Sequence, residues 1–247
     1  MKLLFLDIES SPSQAFVWGL FDQNVGINQV IDSSKVLCYS AKWHGKKEKM
    51  VFDSVHQSSE KTMLKGVHKL LDEADVIATY NGTSFDLPVL NREFLLQKMA
   101  PPSPYKQVDL LRVARRQFRF LSNKMDYVAQ ALGVGNKTRH PGFQLWIDCM
   151  AGDEKAWKLM EKYNRQDVIL LEGIYEKMLP WIPGHPSHGV YTHDLVCPNC
   201  GGKKLQRRGT QVNASGRYQR FQCECGKWMH SAEKEQKGSK DRMIGIH

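Results

Sequence analysis

Long apolar runs are missing from this 247-residue sequence. No stretch approaches the roughly 18 apolar residues that a membrane-spanning helix requires. The opening segment has one lysine and a few apolar residues before Asp7 and Glu9 interrupt it, so it reads as neither a signal peptide nor a span. The expectation is a soluble, cytoplasmic protein with no membrane partner. Cysteine is scarce as well. The 6 cysteines are too few for a disulfide scaffold, and four of them stand as two tight pairs near the C-terminus, which in a reducing compartment points to metal rather than cystine. Cys38 and Cys149 lie alone in apolar surroundings and read as small buried hydrophobes. No internal repeat is visible. Acidic residues are outnumbered, 26 Asp and Glu against 35 Lys and Arg, a surplus of 9 positive charges. That balance suits a protein that meets polyanions, although many basic proteins bind no nucleic acid.

The sequence is 41% hydrophobic, enough for one full-sized domain of about 100–200 residues and a small appendage. Leu3 to Glu9 is a short apolar run ending in polar residues, as a buried central strand does when it delivers side chains to the edge of a sheet. Residues 35–43 and 48–54 resemble a hairpin turning at His44-Gly45-Lys46-Lys47, followed by a helix over 60–73 and a strand over 74–80. Helices are then expected over 87–98, over 109–119, and over 123–132 with Ser122 or Asn123 as cap and Gly133 as stop. Residues 134–145 read as a loop rich in Gly, Lys, Arg and His, and 153–179 as a long helix pair. Pro180, Pro183, Gly184 and Pro186 end that pattern and mark a boundary. The fold class expected is mixed α/β, a sheet flanked by helices over 1–183, then a small β module over 190–233 and a mobile tail over 234–247.

Three acidic motifs carry the chemistry. Asp7 and Glu9 are two apart on a predicted strand, so both point to one side of it and Ile8 to the other. Asp86 follows a strand and the Gly-containing break Asn81-Gly82-Thr83-Ser84-Phe85, where an ordinary helix cap is the competing reading. Tyr163 and Asp167 are four apart in a helix and share a face. Carboxylates gathered in this way could hold two divalent cations about 3.5–4 Å apart, the arrangement that phosphodiester cleavage uses. Each motif alone is weak, and their conjunction is specific.

Together D-I-E near the start, N-G-x-x-F-D in the middle and Y-N-x-x-D-V late in the chain resemble the exonuclease motifs of the ribonuclease-H-like (DnaQ-like) 3′-5′ exonucleases of the DEDDy type. The nearest branch is similar to stand-alone relatives of the exonuclease domain of family-B DNA polymerases, over residues 1 to about 180. The resemblance implies a ribonuclease-H-like sheet. It implies that Asp7, Glu9 and Asp167 hold one Mg²⁺ or Mn²⁺ beside the attacking water, and that Asp7 with Asp86 serves a second. Tyr163 would orient that water. Asn81 and Phe85 would shape the nucleotide pocket, and Ser10, where many relatives carry threonine, lies with them on the substrate side. Arg112, Arg115, Arg116 and Arg119 crowd one face of the 109–119 helix. Arg112 and Arg116 are the substrate-binding candidates among them, and a solvated basic face is the other reading. The loop Asn136-Lys137-Thr138-Arg139-His140 could also touch the substrate backbone.

Near the C-terminus Cys197-x₂-Cys200 and Cys223-x-Cys225 are separated by 22 residues, and the four thiolates could hold one tetrahedral Zn²⁺. The module resembles a zinc ribbon, with a departure: the second pair is C-x-C, so His230 could stand in for a cysteine. From residue 184 onward 11 Lys or Arg face 5 Asp or Glu, a surplus of 6. Mixed with Tyr218, Phe221 and Trp228, this composition suits backbone contact and base stacking. The expected activity is 3′-5′ exonuclease action on single-stranded or frayed DNA. A 3′-5′ exoribonuclease of the same fold and a catalytically idle nucleic-acid-binding replication accessory protein stay open as alternatives. The expected partners are nucleic acid, DNA before RNA, and replication or repair proteins, and no region is large enough to be a polymerase.

Overall fold

The computed structural model describes residues 1–45, 50–213 and 216–236. The chain divides into two compact units, Lys2–Glu176 and Lys177–His247 together with Met1. In the first unit the strands are β1 (Leu3–Ser10), β2 (Gln14–Ala15), β3 (Val30–Asp32), β4 (Val36–Trp43), β5 (Val51–Ser54), β6 (Val76–Thr79) and β7 (Lys106–Asp109). Its helices are α1 (Glu60–Glu73), α2 (Asp86–Leu96), α3 (Leu110–Gln117), α4 (Met125–Ala131), α5 (Gln144–Met150) and α6, which begins here and runs Glu154–Met178. Five strands form one mixed sheet in the order β5-β4-β1-β6-β7, with β1 central, antiparallel to β4 and parallel to β6. β2 and β3 form a separate two-stranded ribbon.

The alternation along β1 decides where the acids go. Leu4, Leu6 and Ile8 face the core built with Met63, Leu64, Val67 and Leu71 of α1 and with Leu90 and Phe94 of α2. The intervening residues point to the opposite face, where the Phe5 ring meets Tyr175 of α6 edge-on at 5.2 Å. Asp7 and Glu9 therefore project toward α6. α1 forms where its apolar spacing and the Ser59 cap agree: the Ser59 hydroxyl accepts from the Thr62 amide at 3.2 Å.

Several expectations need correction. The pair of helices over 153–179 is one unbroken helix, α6. No proline interrupts 154–178, and Gly173 is a close-packing position, since a Cβ there would lie 2.4 Å from Val134 Cγ1. The cap of α4 is Lys124 rather than Ser122 or Asn123. Part of the 134–145 loop leads into α5, and β7 was not anticipated. Both are short and carry only two buried residues each, too little for periodicity to register.

The second unit holds β8 (Leu205–Asn213), β9 (Gly216–Cys223) and β10 (Trp228–Gln236) in an antiparallel sheet of order β10-β9-β8. The tail expected from residue 234 is corrected at its start, because residues 234–236 belong to β10. Residues 46–49 of the expected hairpin, residues 214 and 215, and residues 237–247 of the expected tail lie outside the described residues.

Candidate functional site

β1 ends beside α6, and this juxtaposition assembles the acidic cluster. One carboxylate oxygen from each of Asp7, Glu9 and Asp167 lies within 4.8 Å of the others. Asp86 starts α2 and is buried, and its Oδ1 accepts a hydrogen bond from the Ile8 amide at 3.2 Å. It is therefore anchored on β1 between the two acidic positions, and the helix cap is Phe85, not Asp86.

Packing four carboxylates out of water favours their neutral forms. Desolvation raises Asp7 well above the usual carboxylate range, with the charges of Asp86, Glu9 and Asp167 adding to it. Glu9 is pushed up to about 8, by burial first and by Asp167 next, against the opposing pull of Lys137. Burial lifts Asp86 to about 7, partly offset by the amide of Ile8. Asp167 is also raised by burial, while Lys137 works the other way.

Three residues brace the cluster. Lys137 Nζ donates to Asp167 Oδ2 at 2.5 Å and to the Tyr163 hydroxyl at 3.3 Å. Asn164 Nδ2 donates to Asp7 Oδ2 at 2.7 Å from a fully buried position. Buried Asp109 accepts from the amides of Asn81 at 2.9 Å and Thr83 at 3.3 Å, as well as from Leu111 at 3.0 Å at the start of α3. It pins the Asn81–Phe85 loop that leads into Asp86. Gly82 is required there, because a Cβ would lie 2.4 Å from the Thr79 hydroxyl. Sequence reasoning gave Asp109 and Asn164 no role and placed Lys137 only as a backbone contact. The signal for Asn164 was its position between Tyr163 and Asp167, one residue round the same helix.

The other predicted site residues fall as follows. Tyr163 is buried, with its ring centroid 4.8 Å from that of His140 and 6.0 Å from that of Trp146. Burial raises its phenol well above the usual value, with Glu9, Asp167 and Asp7 adding to the effect. Ser10 is half-buried past a register shift at the end of β1. Asn81 and Phe85 are exposed, and Asn81 takes a left-handed φ of 74°. Arg112 and Arg116 are both exposed on α3, with Arg112 Nε 3.9 Å from Asp109 Oδ2.

The carboxylates fit a hard divalent cation on their own terms. Asp167 Oδ1 is buried and accepts no hydrogen bond, a costly arrangement that a ligand on that oxygen would relieve. Oxygen donors of this kind are the ones Mg²⁺ and Mn²⁺ favour.

In the second unit all four cysteine sulfurs lie within 4.8 Å of one another, as free thiols. Cys197 and Cys225 are 3.8 Å apart and Cys200 and Cys223 3.5 Å apart. Zn–S bonds of about 2.3 Å in a tetrahedron imply S···S edges of about 3.8 Å, so the set is preformed for such an ion. Two backbone knuckles shape it, Gly201 N donating to Cys197 O and Gly226 N to Cys223 O, each at 2.9 Å. His230 is not in the group. It pairs with Arg220 in the sheet, and its Nδ1 lies 2.8 Å from Ser231 O.

Comparison with known proteins agrees with this architecture. A family model described as the RNase H superfamily matches residues 4–179. A search of the curated proteins found no match. Among solved structures, the family B DNA polymerase from the hyperthermophilic archaeon Pyrobaculum calidifontis is similar, with a TM-score of 0.54 and 18% identity, over 73% of this chain and 25% of that one. The chain thus spans about a quarter of the polymerase it matches, and the likeness is one of fold.

Proposed function

The chain belongs to the RNase H superfamily, and on that premise we propose that it is a two-metal-ion 3′-5′ exonuclease hydrolysing DNA phosphodiester bonds at single-stranded or frayed 3′ ends. The observation that carries the reading is the convergence of Asp7, Glu9 and Asp167 within 4.8 Å, with one buried oxygen of Asp167 left without a partner. Asp7, Glu9 and Asp167 would hold one Mg²⁺ or Mn²⁺, and Asp7 with Asp86 the second. Bound there, the pair supplies an activated water and a counter-charge for the leaving oxygen.

The chain's own groups do the positioning. Asn164 fixes Asp7 Oδ2 and the Ile8 amide fixes Asp86 Oδ1. The raised phenol of Tyr163 stays protonated at neutral pH, so it orients water by hydrogen bonding and does not act as a base. Asn81 and Phe85, exposed on the loop that ends in Asp86, supply the nucleotide side of the site, and Ser10, Arg112 and Arg116 add substrate contacts.

We assign this activity to residues 1–183. Residues 190–233 form a zinc ribbon whose Cys197, Cys200, Cys223 and Cys225 hold one structural Zn²⁺. The sulfur spacings support that assignment. Arg220, stacked over Trp228 with its guanidinium carbon 4.9 Å from the ring centroid, supports a nucleic-acid-binding role for the ribbon. The test is digestion of 5′-labelled DNA and RNA oligonucleotides with added Mg²⁺ or Mn²⁺. A descending ladder from DNA is the expected result. Internal cuts would refute the exonuclease assignment, and a ladder from RNA alone would move it to an exoribonuclease.

A further inference from the structure

We infer that the strand upstream of the reacting 3′ end leaves the acidic cluster through a cationic groove, with Arg115, Lys124 and Arg139 contacting its phosphates and Tyr80 facing an unpaired base. The inference rests on the exonuclease reading and adds to it the path that the substrate strand takes.

Two cavities, of about 580 and 740 Å³, share Lys137 and Asp126 in their walls. Tyr80, Arg115 and Lys124 line the first, and Arg139 and His140 the second. Lys137 ends on Asp167 and Tyr163, so the shared wall of the two cavities is also a wall of the acidic cluster. The acid of this lining, Asp126, is already engaged. Its Oδ1 accepts from the Lys137 amide at 2.9 Å and its Oδ2 from Gln130 Nε2 at 2.8 Å. Arg115, Lys124 and Arg139 are exposed and, among the described residues, make no ion pair. Three uncommitted cations along one groove form a track for a polyanion.

The Tyr80 hydroxyl donates to Asn123 O at 2.7 Å, which fixes the ring beside the Asn81 loop. A base within a strand can stack on a fixed side-chain ring when it is splayed out of a duplex, so the groove suits single-stranded nucleic acid. Two other surfaces lack this character. The cavity lined by Lys35 and His56 also carries Asp32 and Glu60. The exposed apolar segment around Phe16, Trp18 and Phe21 contains no lysine or arginine from residue 11 to residue 34.

The experiment uses the full-length chain and a variant carrying Arg115→Ala, Lys124→Ala and Arg139→Ala. Oligothymidylates of increasing length serve as substrates with Mn²⁺ and as ligands in fluorescence anisotropy without added metal. For the wild type, KM and the dissociation constant should fall as the oligonucleotide lengthens beyond the terminal nucleotides. For the variant, the gain with length should disappear, and the slope of log affinity against log salt should shrink by about 2, since each phosphate contact on a single strand contributes about 0.7. A charge-preserving variant, Arg115→Lys with Lys124→Arg and Arg139→Lys, should keep most of the gain, which separates charge from folding. Length dependence and salt slope unchanged in a folded alanine variant would overturn the groove. A wild type that binds with the expected length dependence but hydrolyses nothing would overturn the nuclease reading and leave the groove standing.

Discussion

Burial sets the chemistry of the carboxylates before any ligand does. Glu9, pushed up to about 8, and Asp86, pushed up to about 7, both hold protons in the folded chain that the unfolded chain gives up near 4. A folded state that binds more protons loses stability as pH rises. Without added divalent cation, the melting temperature of the nuclease domain should therefore fall between about pH 5 and pH 8. Mg²⁺ or Mn²⁺ held as proposed would bind the deprotonated acids, so the stabilisation it adds should grow over the same interval. Thermal denaturation across that range reads both effects, and a metal increment independent of pH would contradict the proposed ligand set. At the same site, Tyr163→Phe removes only the hydroxyl proposed to orient water. The expected loss is up to about 100-fold in kcat with KM little changed. A loss as large as that from removing Asp7 would give the phenol a larger chemical role.

β1 and α6 are the elements that make the site, and they differ in how far the sequence reveals them. The run Leu3–Ile8 with Asp7 and Glu9 two apart announces a buried strand with both acids on one face, and Tyr163 with Asp167 announces a shared helix face. Their meeting is long-range, and only the resemblance pointed to it. Asp109 was invisible because it lies at the end of β7, a four-residue strand with two buried positions, and acts through backbone amides rather than through a motif. Lys137 was legible as a basic loop residue, but its contact with Asp167, 30 positions away, depends on how that loop folds back. The cysteine module was legible because ligand spacing is a local property, and the sheet gives His230 another place. A ribbon with so small a core would fold together with the proposed ion. Strong chelation should thus release about one Zn²⁺ per chain and unfold residues 195–230, while the circular dichroism of the nuclease domain persists. Metal analysis that finds no zinc in freshly purified protein would contradict this.

Across the whole molecule, chemistry and charge are unevenly shared. The acidic cluster and Tyr163 lie within residues 7–167, whereas residues 184–247 carry a surplus of 6 of the chain's 9 net positive charges. Deleting 184–247 should leave turnover at saturating oligonucleotide near its original value, raise KM, and flatten the dependence of binding on salt. Collapse of turnover at saturation would mean that the ribbon completes the active site. The account's central claim is that Asp7, Glu9, Asp86 and Asp167 form a cation-dependent hydrolytic centre. It is tested most directly by digesting a 5′-labelled DNA oligonucleotide with wild type, Asp7→Ala and Asp167→Ala side by side in Mn²⁺, with circular dichroism confirming that all three are folded. Losing a ligand to either cation forfeits several kcal/mol of charge stabilisation, so the account predicts a descending ladder from the wild type and a loss on the order of 1,000-fold or more in both variants. Near-normal digestion by either folded variant would contradict it.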